Sequence, residues 1–130
     1  MNLLRIALPL IFSLSLLATP NVFAGDEKVS AATRTMAEIM INLRHYPNDA
    51  DKDKLKKVAA DTTASAHEKT IAQVLLNLDH KPADADKPKL EAITKDAAAP
   101  AAVKSLASIL LSLNHKPTGA DTEKLKQIAK

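Results

Sequence analysis

The chain has 130 residues, no cysteine, and 18 basic against 15 acidic side chains. Without thiols it can build no disulfide, no thiol redox centre and no cysteine-based zinc site. Phe12, Phe23 and Tyr46 are its only aromatic residues, too few for base-stacking platforms or for cages that hold quaternary ammonium groups.

Met1–Ala24 reads as a secretory signal peptide: Arg5 supplies the positive start, Ile6–Ala18 is the apolar segment, and Val22-Phe23-Ala24 precedes a cut at Gly25. The apolar segment is shorter than the about 20 residues of a membrane-spanning helix. The expectation is a periplasmic or secreted protein with no stable membrane insertion after cleavage. Removing Arg5 leaves 17 basic residues against 15 acidic ones, a charge of +2. Such a near-balanced chain lacks the clustered basic face of a nucleic-acid binder. Residues 25–29 form a short polar leader.

From Ser30 onward one pattern of 35 residues is written three times without gaps, at 30–64, 65–99 and 100–130. Nine columns are identical in all three copies, among them Ala37/Ala72/Ala107, Leu43/Leu78/Leu113, His45/His80/His115, Pro47/Pro82/Pro117 and Asp51/Asp86/Asp121. A fixed period in this range signals stacked supersecondary units.

Each unit reads as helix, turn, shorter helix. Ser65 and Glu68 make a capping box, Ser30 caps its own helix, and Pro100 fits the opening of the third. Ile71, Val74, Leu75 and Leu78 fall at i, i+3, i+4 and i+7, which is one helical face. Met36, Ile39, Met40 and Leu43 repeat that spacing, as do Leu106, Ile109, Leu110 and Leu113. A second stripe beside it (Ala72 and Leu76, for example) makes the first helix apolar over more than half its girth, so it belongs between neighbours. The helix must stop at the His-x-Pro step, because proline lacks the N–H and disfavours helical backbone in the residue before it. Asp51, Asp86 and Asp121 are the expected N-caps of the second helices. Those carry Leu55 and Val58, Leu90 and Ile93, or Leu125 and Ile128 on one side and lysines on the others. About ten residues of helix are marginal alone, so packing must hold them.

The expected fold is all-α: three helical hairpins, six helices, as a compact bundle or a short solenoid. Its period and helix-turn-helix unit are similar to tetratricopeptide-type arrays in architecture. The Trp, Gly and Tyr positions of that pattern are absent, and Pro falls inside the hairpin.

Two functional readings follow. The first is an exported interaction or scaffold module that binds a protein or peptide through its repeat surface, with self-association through exposed repeat ends. The second is a metal-binding protein using His45, His80 and His115, since imidazole suits Zn, Cu and Ni. Against a shared site stands a structural role, in which each ring bonds the last carbonyls of its helix. Packed helices also lie 8–10 Å apart, so only a closed, three-fold-like bundle could gather the three rings. An enzyme comes third, because no catalytic constellation and no Gly-rich loop is visible. Asp49, Asp51 and Asp53 resemble the opening of a calcium loop, but Lys54 and Ala60 stand where that loop needs Gly and a bidentate Glu.

Overall fold

A computed structural model describes residues 28–130; the signal-peptide reading of Met1–Ala24 lies outside them. Six helices follow in order: α1 (Ala31–Ile41), α2 (Asp49–Ala60), α3 (Ala66–Leu76), α4 (Lys87–Lys95), α5 (Ala101–Leu111) and α6 (Gly119–Ile128). Among the described residues none is long and apolar enough to cross a membrane.

The first helices of the three units, α1, α3 and α5, touch one another and form a central trio. Their doubled apolar stripes explain the position. Met36, Ile71 and Leu106 make one fully buried layer, Ala37, Ala72 and Ala107 the next, and Met40, Leu75 and Leu110 a third. A methyl side chain in the middle layer lets the helices approach closely, and the larger residues of the flanking layers fill the space that this leaves.

The second helices form an outer ring. Each packs chiefly on the first helix of the following unit rather than on its own: α2 on α3, α4 on α5, and α6 back on α1. That last contact closes the ring, so the array is a pseudo-three-fold bundle and not an open solenoid. The first and last units cover each other, so the exposed repeat ends on which the expectation of self-association rested are not present among the described residues.

The first-helix caps follow the sequence. Ser30 Oγ accepts from the Thr33 N–H, and Ser65 with Glu68 forms the full capping box. Two of the three second-helix caps need correction. The caps are Asn48 and Thr118, whose side chains accept from the N–H groups of Asp51 and Asp121 at 2.8 and 3.1 Å. Asp51 and Asp121 therefore sit inside the first turn, where their charge complements the helix dipole. In the second unit the expected Asp86 is the N-cap, and the helix starts behind it at Lys87, although the Asp86 side chain makes no capping hydrogen bond. There Ala83 occupies the column of Asn48 and Thr118 and has no capping atom, and Pro88 withholds the N–H of the first turn.

Short connectors join the units. The Asp61 and Asp96 carboxylates each accept from the backbone N–H two residues on, at Thr63 and Ala98, both at 2.8 Å. These bonds close each connector into a local turn.

Candidate metal centre

The loop after each central helix carries the invariant histidine. In the first unit α1 ends at Ile41 and Asn42 is its C-cap, with the backbone N–H bonded to Glu38 and Met40 carbonyls. Leu43 dips into the core, and the chain then turns sharply at His45. The Tyr46 N–H donates to the Arg44 carbonyl at 2.8 Å, and the copies repeat this at Lys81 to Asp79 (2.7 Å) and Lys116 to Asn114 (2.8 Å). Each histidine is thus the middle residue of a three-residue turn. Its φ is positive, 69° at His45, 64° at His80 and 67° at His115, and these are the only non-glycine residues with positive φ among those described. This is the rarer, strained hand of the γ-turn. Such backbone costs on the order of 1–3 kcal/mol per residue and persists only where the surroundings enforce it.

A closed ring of peptide hydrogen bonds does the enforcing. The His80 N–H donates to the His45 carbonyl at 2.8 Å, His115 to His80 at 2.8 Å, and His45 to His115 at 2.9 Å. The ring surrounds the pseudo-three-fold axis and draws the three turns together beyond the helix ends. Helix spacing therefore does not limit how near the rings can come. The proposed capping of helix carbonyls by the imidazoles is not what is found: each Nδ1 faces the other two histidines.

The three Nδ1 atoms form a nearly equilateral triangle with sides of 3.0, 3.1 and 3.0 Å. The rings meet edge to face, with interplanar angles of 72°, 82° and 74°, like the blades of a propeller. The centre is exposed to solvent on its outer side and forms the one group of three or more potential metal ligands among the described residues.

An imidazole nitrogen carries either a proton or a lone pair. Three of them in a triangle cannot form three hydrogen bonds, because each would have to donate and accept with the same atom. Three protons would crowd one another across 3 Å. One Nδ1–H can only be shared between the other two nitrogens, whereas three unprotonated Nδ1 atoms would present three lone pairs to one point on the axis, where a single cation satisfies them together. With metal–nitrogen bonds of about 2.0–2.1 Å, a cation about 1 Å from the plane reaches all three atoms. The nitrogen–metal–nitrogen angles are then about 95°, between octahedral and tetrahedral values.

Metal-binding histidines commonly direct the other ring nitrogen to a carboxylate, which holds the proton there and leaves the ligating atom free. His80 has a carboxylate nearby but no hydrogen bond to it: its Nε2 lies 3.4 Å from Asp79 Oδ1. In the other units the column holds Arg44 and Asn114, so the carboxylate belongs to one histidine alone.

No family model, no curated protein and no solved structure matches this chain. The centre stands on its own geometry.

Two further titratable groups among the described residues join elements of the fold. His67 Nε2 meets Asp96 Oδ2 at 2.8 Å and ties the start of α3 to the connector before α5. At the other end of the axis from the three histidines, the layer of Thr33, Glu68 and Val103 is buried. Glu68 Oε1 accepts from the Ser30 hydroxyl and from Thr33 Oγ1 at 2.8 Å, and Oε2 accepts from the Ser65 N–H at 2.8 Å. Burial works against its charge, but hydrogen bonds from Ser30, the Ser65 N–H, Thr33 and the Ser65 hydroxyl outweigh that, and its carboxyl lies below the ordinary glutamate value.

Proposed function

We propose that this protein binds one divalent transition-metal ion through His45, His80 and His115, in the class of Zn, Cu or Ni that imidazole favours. The observation that carries the reading is the 3.0–3.1 Å triangle of Nδ1 atoms, in which a single shared N–H serves the other two nitrogens poorly and one cation would satisfy all three lone pairs. The strained turn at each histidine supports it, since a purely structural residue there would be glycine. With export expected from Met1–Ala24, the ion would be bound outside the cytoplasm, as cargo held in transit or in store.

Titration calorimetry with Zn, Ni and Cu tests the proposal. The expected result is tight binding of one ion per chain, lost when His45, His80 and His115 are all replaced by Ala. Absence of tight binding to the unaltered chain, or its survival in the triple variant, overturns it. The rival reading, a module that binds a protein or peptide through its repeat surface, has less behind it. Tyr46 is the one large apolar side chain exposed among the described residues.

A further inference from the structure

We infer that the metal centre is completed by a small oxyanion, a carboxylate or phosphate group, seated between the ion and the side chains of Arg44 and Lys116. This inference rests on the three-histidine reading and extends it to the remaining coordination positions.

Three neutral imidazoles supply half of an octahedral set, or three of four tetrahedral positions, and no charge. A divalent ion held by them keeps its full charge and at least one open position, which water or an exogenous ligand must fill. The protein around it adds little compensating charge: Asp79 lies beside His80, and Asp51, which borders a separate hollow with Arg44 and His45, is paired with Lys54. The residues that flank the three histidines in sequence include Arg44, Lys81 and Lys116 against the single carboxylate of Asp79, which already faces His80. Neither Arg44 nor Lys116 forms an ion pair among the described residues. A cation surrounded by unpaired cations is electrostatically incomplete, and one anion bound both to the metal and to the two side chains relieves the repulsion on every side.

The surface provides the place. An open cleft of about 940 Å³ runs beside the triangle and is lined by Arg44, His45, Asn114, His115 and Lys116. Both cationic side chains therefore border the same space as two of the three metal ligands. Arg44 offers a planar fork that matches two oxygens at once, Lys116 offers a mobile point charge, and the Asn114 amide can donate as well. The third unit's Gly119 and the first unit's Leu43 lie on the same cleft, so its wall is uncharged beyond the cationic pair. The corresponding space at the second unit differs, because Asp79 replaces Arg44 there and its carboxylate would repel an anion. The repeats are thus equivalent in their metal ligands and unequal in their flanks, which gives the open side of the centre one preferred direction of approach.

Cobalt serves as a visible probe of the ion's coordination. The cobalt-loaded protein is titrated separately with acetate and with inorganic phosphate while its absorption bands are followed, and the Arg44→Gln, Lys116→Gln double variant is treated identically. The expected result is a saturable spectral change with at least one of the anions, and an anion affinity at least about tenfold weaker in the double variant, with cobalt affinity undiminished. Acetate acting alone assigns a carboxylate, and phosphate acting alone assigns a phosphate group. A spectrum that neither anion alters, or an anion affinity equal in the two proteins, overturns the inference and leaves the three-histidine centre standing. Failure of the unaltered protein to bind cobalt, zinc or nickel overturns both.

Discussion

At the scale of the residue, histidine holds a backbone conformation that glycine would adopt without strain. That contrast separates a ligand from a structural residue. Replacing His80 by Gly relieves the positive φ and the crowding of nitrogens, at some cost in unfolded-chain entropy. The expected change in metal-free stability is within about 1 kcal/mol, while metal affinity falls by more than about 100-fold, beyond the loss usual for a supporting residue around a metal. Denaturant unfolding and calorimetry on the same variant measure both. Equal losses of stability and affinity would mean that the histidine is only a structural element. Glu68 makes a second prediction at this scale. Its carboxyl is held below the 4.5 of an unperturbed glutamate, so the unfolded chain takes up the proton first as pH falls. The stabilisation it contributes is complete above about pH 4.5 and is lost as pH drops through the lower folded value. Glu68→Gln should therefore flatten the fall in stability on acidification below that point, as urea midpoints measured between neutral and acidic pH would record.

At the scale of the element, the second helices show how a single column decides where a helix starts. Asn48 and Thr118 each bond the N–H three residues on, whereas Ala83 in the same column cannot. Asn48→Ala should cost about 1 kcal/mol, the usual loss for a helix N-cap. Thermal melts should show the deficit for Asn48→Ala and none for Ala83→Gly beyond what glycine itself costs. Repetition in all three copies marks the invariant aspartates as the expected caps, and only Asp86 holds that position. The capping column varies between Asn, Ala and Thr, and only the hydrogen bonds reveal that it is one column with one role in two of the copies. The central helices were fully legible, because their apolar spacing has a period that only an α-helix places on one face.

At the scale of the whole molecule, the units depend on one another in a closed cycle. Leu55, Leu90 and Leu125 are fully buried on outer helices that pack mainly against the next unit. Removing residues 100–130 would strip α1 of its outer partner and open the axial layers at Leu75 and Met40. Loss of a single buried side chain of this size costs about 2–5 kcal/mol, and the truncation removes many such contacts at once. The expected outcome is a chain without cooperative unfolding, in contrast to an open repeat array, which would keep two folded units. Far-ultraviolet circular dichroism during heating distinguishes the two.

The repeat, the six helices, the core faces and the identity of the three histidines were all determined by the sequence alone, because each rests on local spacing and backbone chemistry. Whether the histidines meet was decided only by tertiary structure. A separation of 35 residues along the chain says nothing of distance until α6 closes on α1 and the peptide ring draws the turns to the axis. The same holds for the choice between bundle and solenoid. Closure depends on which neighbour each second helix packs against, α2 on α3, α4 on α5 and α6 on α1, a non-local choice that periodicity does not encode.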